Sequence, residues 1–127
     1  MKGLGGQLEA RKESFRYAWR GLRTAWATQP NLRLHGAVAA AVLGGGAYWR
    51  VTLAEWGLLF SAMAAVIVTE LLNTAVEFSV DTATQERRAT AANAKDVAAA
   101  AVLVAALYAV AIGLLVFAPR LWAWWPP

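Results

Sequence analysis

Residues 97–125 read VAAAAVLVAALYAVAIGLLVFAPRLWAWW, an apolar run in which Arg120 is the one charge. A bilayer core is crossed by about 20 helical residues, so this run has the length of a membrane span. Two further apolar segments precede it, at residues 34–49 (LHGAVAAAVLGGGAYW) and 53–81. The second reaches spanning length only if its acidic end is counted, and the first is short and rich in glycine. Backbone groups in lipid have to be paired within the segment, so all three are expected to be helices. Gly44, Gly45 and Gly46 weaken helix propensity but let helices approach closely. The expected fold is an all-α integral membrane protein of one domain over residues 1–127, with three transmembrane helices behind an N-terminal amphipathic interfacial helix.

Composition agrees. The chain is 59% hydrophobic and 16% charged, too apolar for a small soluble domain that has to cover its own surface. It has no cysteine, which excludes disulfides and thiolate metal sites. A net charge of +4 on so apolar a chain points to an anionic membrane surface before nucleic acid. Residues 1–33 are polar and basic without a leading apolar core, so no cleavable signal peptide is expected.

The cations set an orientation. Lys2, Arg11, Lys12, Arg16, Arg20, Arg23 and Arg33 precede the first segment, and Arg87, Arg88 and Lys95 lie in the expected 82–96 loop. The other side receives Arg50 and Arg120. The N-terminus and that loop are therefore expected in the cytoplasm, at the inner membrane. Trp49, Trp56, Trp122, Trp124 and Trp125 would form the aromatic belt on the outer side. Between residues 11 and 27, Phe15, Trp19, Leu22 and Trp26 fall on one helical face, with Lys12, Arg16, Arg20 and Arg23 on the flank and far side. A helix lying in the membrane interface has this pattern, and a simple anchor explains it as well. Pro30 in "TQPN" ends that helix.

The second apolar segment closes with TELLNTAVEFSVD. On a helix Glu70, Asn73, Glu77 and Asp81 share one face within an arc of about 80°. They descend about 16 Å, from cytoplasmic water at Asp81 to well below the headgroups at Glu70. An intramembrane carboxylate costs about 2.5–3.5 kcal/mol on insertion, and such groups usually face a bundle interior. Three readings stay open on spacing alone: a chemical site, a polar packing seam, or a proton or cation pathway.

The following loop favours a site. Asn93 suits an N-cap and Asp96 a first helical turn. Arg87, Arg88 and Lys95 set cations beside the acidic face. Carboxylates for a metal and Lys or Arg for phosphate oxygens are what a magnesium–nucleotide complex requires. No GxxxxGK[ST] loop is present, and GLGG near the N-terminus has no strand or lysine in place. His35, the one histidine, beside Arg33, reads as a solvated headgroup-level residue.

"ELLNTAVE" followed by Asp81, then "AKDVAAAAVL", with "SFRYAWRGL" upstream, resembles the prokaryotic diacylglycerol kinase family from Ser14 to about Phe117. The resemblance implies a homotrimer of three-span subunits that transfers the γ-phosphate of ATP to a lipid hydroxyl with magnesium, at sites shared between subunits. By that resemblance Glu70 is the general base and Glu77 holds the metal and with it the nucleotide. Asn73 orients the acids or contacts a phosphate, and Asp81 supports the nucleotide side. Lys95 and Asp96 match the nucleotide-binding pair. Glu86, Arg87 and Arg88 occupy the nucleotide-contacting loop, and Tyr17 would lie near the adenine. Chemistry of this kind is mostly positioning and charge neutralisation. One position departs from the family. Gln29 stands where a glutamate commonly shares the metal, so an oxygen ligand is kept and a charge is lost.

"SFRYAWRGL" and "NLRLH" resemble the branch that phosphorylates undecaprenol more than the branch acting on diacylglycerol, which tends to carry an acid at the position of His35. The competing reading is a non-enzymatic membrane assembly factor or a cation-conducting oligomer, in which the acids pack or conduct.

Overall fold

The computed structural model describes residues 4–84, 86 and 88–123, with side chains described from residue 7 onwards. Among them are four helices and no strand: α1 (Leu4–Thr28), α2 (Pro30–Tyr48), α3 (Leu53–Ala83) and α4 (Ala89–Trp122). Two of these, α3 and α4, are long and apolar enough to cross a membrane, and α2 is not among them.

The break between α1 and α2 follows from one residue. Gln29 is extended (φ −106°, ψ 106°) and Pro30 opens α2 at its first turn. The missing proline N–H is a group that the first turn leaves unpaired anyway, so the helix restarts there at little cost. α1 begins by Leu4, several residues before the position 11 that its amphipathic pattern suggested.

The turn from α2 to α3 is tightly specified. Arg50 takes φ 50°, Val51 N–H reaches back to Gly46 O at 3.0 Å, and Arg50 N–H to Ala47 O at 3.3 Å. This is a Schellman termination with arginine where glycine is commonest. α3 then opens on a reciprocal capping box: the Thr52 hydroxyl accepts from Glu55 N–H at 3.3 Å, and Glu55 Oε2 accepts from Thr52 N–H at 2.7 Å. Arg120 closes this end. Its two terminal nitrogens donate to the two Glu55 oxygens at 2.9 and 2.8 Å, and one also reaches the Val116 carbonyl. The buried cluster of Val51, Leu59 and Val116, flanked by Val42, Trp56, Met63, Ile112 and Phe117, lies at the same end.

α3 and α4 pack along one another, with Ser61 and Tyr108 hydroxyls 3.1 Å apart across the seam. The glycine triplet divides its labour. A Cβ on Gly46 would meet the Trp56 ring at 2.6 Å and one on Gly45 would touch Trp49 and Phe117, while Gly44 faces open space.

The connection between α3 and α4 is shorter than the expected 82–96 loop. α3 runs to Ala83 and α4 starts at Ala89. The segment ATAANAKD is rich in alanine, the strongest helix former, and its polar residues do not outweigh that. Asn93 and Asp96 are consequently interior positions of α4, not a cap and a first turn, and Arg88 is the N-cap, with no side-chain cap bond. Trp124 and Trp125 lie outside the described residues.

Candidate functional site

The acidic face of α3 is graded in depth. Glu70 is 3% exposed and Thr74 4% exposed. Asn73 and Glu77 are half-buried, and Asp81 is open to solvent near the end of the helix. Each of these groups has a specific neighbour.

At the deepest position, Glu70 Oε1 lies 3.2 Å from His35 Nε2 on α2. His35 is therefore not a solvated headgroup residue. Pro30 starts α2 so that its second turn runs alongside α3, and the imidazole turns inward onto the carboxylate. Thr74 contributes nothing to the Glu70 carboxylate, because its hydroxyl donates to the Glu70 main-chain carbonyl at 2.9 Å. Below His35, an apolar groove of about 370 Å³ runs between α2, α3 and α4. Val38, Val42, Met63, Val66, Ile67 and Val110 are among its walls, and among the described residues His35 is its one polar lining side chain.

Two turns nearer the helix end, Glu77 receives two amide donors. Gln29 Nε2 donates to Oε2 at 3.3 Å and Asn73 Nδ2 to Oε1 at 3.2 Å. The extended backbone at Gln29 is what aims that side chain at α3. Among the described residues no cluster of three His, Cys, Asp or Glu side chains could hold a metal ion. Glu77 is thus a lone carboxylate with two amides. Asn73 Oδ1 is buried and has no hydrogen-bond partner. A primary amide presents either nitrogen or oxygen after a half-turn. Turned over, Gln29 and Asn73 would offer two oxygens beside the Glu77 carboxylate. Magnesium commonly takes one or two carboxylates and completes its shell with water and substrate phosphates, so this set fits an ion that arrives with a polyphosphate.

At the helix end, Lys95 Nζ pairs with Asp81 Oδ1 at 2.5 Å. Both line a cavity of about 700 Å³ with Val80, Thr84, Glu86, Arg88 and Ala92. Within it Arg88 holds Glu86 through two nitrogens, at 2.9 and 2.7 Å. Asp96 is exposed on α4 beyond Lys95, and Arg87 lies outside the described residues. The cavity joins cations to a solvent-open rim, the chemistry that anionic phosphate groups require.

Tyr17 does not share this cavity. It is half exposed on α1, between the guanidinium groups of Arg20 and Arg16, whose carbons are 5.1 and 5.6 Å from its ring centre. It lines a separate cleft with Arg20, Thr24, Leu71, Thr74 and Phe78. One chain thus brings together Gln29, Asn73 and Glu77, and separately Asp81, Glu86, Arg88 and Lys95. Sequence reasoning missed the His35–Glu70 pair. The one available signal was a histidine two residues after Arg33 in an otherwise apolar helix.

Comparison with known proteins identifies the family of the chain. A sequence profile of prokaryotic diacylglycerol kinase matches residues 16–117. The chain is 40% identical over 109 residues to the undecaprenol kinase of Bacillus subtilis, spanning 86% of this chain and 89% of that one. It is 41% identical over 109 residues to a diacylglycerol kinase of Synechocystis, spanning 85% of this chain and 62% of that one. With the diacylglycerol kinase of Escherichia coli K12 the identity is 34% over 94 residues, 74% of this chain and 77% of the other. The chain belongs to the prokaryotic diacylglycerol kinase family, and its enzyme class is that of a lipid kinase, a phosphotransferase acting on an alcohol.

Proposed function

We propose that the protein transfers the γ-phosphate of ATP to the hydroxyl of a membrane-dissolved, single-chain lipid alcohol, with undecaprenol preferred over diacylglycerol. The observation that carries this reading is His35, the polar side chain lining an otherwise apolar groove, held 3.2 Å from the buried Glu70 carboxylate. A long hydrocarbon chain matches such walls. The ester carbonyls of a diacylglycerol would find no polar lining side chain except His35. The relatives include an undecaprenol kinase at 40% identity and a diacylglycerol kinase at 41%, so the preference rests on the groove.

In this reading Glu70 Oε2 takes the proton of the lipid hydroxyl as its oxygen bonds to the γ-phosphorus. The bond to the β–γ bridging oxygen breaks, and ADP leaves with the electron pair. Glu70 lies deep because the hydroxyl does. Lys95 and Arg88 neutralise phosphate oxygens at the cavity rim, with Glu86 and Asp81 ordering that rim; Arg87 and Asp96 are assigned to the nucleotide from their places in the sequence alone. Magnesium would be held by Glu77 with Gln29 and Asn73, and it supplies charge neutralisation on the transferring phosphate. Phosphoryl transfer relies mainly on such positioning.

The remaining architecture belongs to the same proposal: a single membrane domain with α2, α3 and α4 all spanning the inner membrane. Exposed Leu103, Val104, Leu107, Leu114 and Leu115 on α4 suit a lipid surrounding. α1 lies on the cytoplasmic interface, with Phe15 and Trp19 outward at 81% and 64% exposure. A homotrimer with shared sites accounts for Tyr17, since α1 of one copy can then serve the nucleotide cavity of the next.

The test offers purified protein ATP, magnesium and either undecaprenol or diacylglycerol in mixed micelles. At least about tenfold higher kcat/KM for undecaprenol is expected, equivalent to about 1.4 kcal/mol of discrimination. A preference for diacylglycerol overturns the assignment of the lipid, and transfer to neither overturns the kinase reading for this chain.

A further inference from the structure

Glu70 is a buried carboxylate one turn along α3 from Val66 and Ile67, which line the apolar groove. A carboxylate buried without a donor is costly, and an unpinned one rotates about its last side-chain bond. His35 Nε2, at 3.2 Å from Oε1, is its one polar side-chain neighbour among the described residues. The alternatives on its own helix are engaged elsewhere: Thr74 on the main chain and Asn73 on Glu77. His35 itself is 23% exposed at the side chain and Glu70 4%, so little water competes for the contact.

We propose that His35 is a positioning residue for the phosphoryl transfer, fixing the plane of the Glu70 carboxylate so that Oε2 faces the lipid hydroxyl at the groove mouth. The inference rests on the reading of Glu70 as the base. His35 acts through the 3.2 Å contact of Nε2 with Oε1 and exchanges no proton with the substrate. Because the imidazole also lines the groove, its ring sets both the angle of the carboxylate and how far the alcohol head can descend. The contact comes from α2 while the base sits on α3, so the reactive geometry depends on the packing of two helices. A displacement of about 1 Å at a reacting group lowers rates by about a hundredfold, and loss of this single contact permits such a displacement.

The test measures steady-state kinetics of wild type, His35→Leu, His35→Gln and Glu70→Gln, with rates normalised to folded protein judged by thermal melting in detergent. Glutamine can place an amide N–H near the imidazole Nε2 position, and leucine keeps bulk without a donor. The expected result is a kcat loss of about 30- to 100-fold in His35→Leu with KM for ATP within twofold of wild type. His35→Gln recovers most of that loss, and His35→Leu combined with Glu70→Gln is no slower than Glu70→Gln alone. A His35→Leu kcat within threefold of wild type overturns the inference, as does a His35→Gln variant as slow as His35→Leu. Should Glu70→Gln itself retain full activity, the base assignment fails, an outcome separate from the behaviour of His35 in an enzyme that Glu70→Gln disables.

Discussion

Gln29 Nε2 donates a hydrogen bond to Glu77 Oε2 at 3.3 Å, tying the break between α1 and α2 to the acidic face of α3. This contact joins the helix break at Gln29 to the carboxylate proposed to hold the metal. It also explains how an amide is accommodated at a position where the family commonly has an acid: the nitrogen end satisfies Glu77 without a cation.

Gln29→Glu removes that donor and sets two carboxylates together. Without divalent cation the variant is expected to lose about 2 kcal/mol, the scale of a hydrogen bond to a charged group. With magnesium the order reverses, because a second carboxylate strengthens a hard-cation site. Half-saturation of activity should fall about tenfold, and a magnesium titration of activity and melting temperature checks both halves. An unchanged half-saturation would show that position 29 does not face the metal.

Gly44 and Gly46 are expected to answer differently to the same substitution. An alanine Cβ at Gly46 meets Trp56, which stacks on Phe60 with ring centres 5.5 Å apart and has little room to yield. Gly46→Ala should cost about 1–3 kcal/mol. At Gly44 nothing lies within 4 Å, and alanine should stabilise the helix by about 0.8–1 kcal/mol. Thermal unfolding of both variants in one detergent makes the comparison; Gly44→Ala as damaging as Gly46→Ala would place Gly44 against another copy of the chain.

The Glu55–Arg120 pair is expected to stabilise the fold without touching catalysis. The two side chains are 25% and 23% exposed and fork onto one another, and Glu55 stands about 33 Å along α3 from Glu77 at 1.5 Å per residue. Glu55→Gln, Arg120→Met and the double variant form a cycle whose coupling should be about 1–3 kcal/mol. Activity per folded molecule should stay within twofold of wild type below the melting temperature. A large loss of kcat in folded protein would contradict the separation of the two ends.

How much of this could be read from residues alone depended on whether a feature is local. The helix break at Gln29 and Pro30 follows from proline chemistry, and the graded face from Glu70 to Asp81 follows from helical periodicity. Neither needs a partner elsewhere in the chain. The His35–Glu70 contact depends on the register between α2 and α3, which no window of sequence contains, so His35 read as solvated. The 82–96 segment misled for a different reason: its polar residues suggested a loop, while its alanines favoured helix. Lys95 consequently sits on a rigid turn of α4 opposite Asp81, and not on a flexible connection.

The most direct measurement compares lipid phosphorylation by wild type and Glu77→Gln, alongside their size and melting temperature in detergent. Glu77→Gln keeps the volume of the side chain and removes the charge that a magnesium–nucleotide complex needs. The expected result is a loss of at least about 10²-fold in phosphoryl transfer, on the scale of losing one electrostatic stabiliser of the transition state, with size and melting preserved. Transfer at the wild-type rate, or a loss that only accompanies collapse of the assembly, would contradict the assignment of this acidic face as a kinase site.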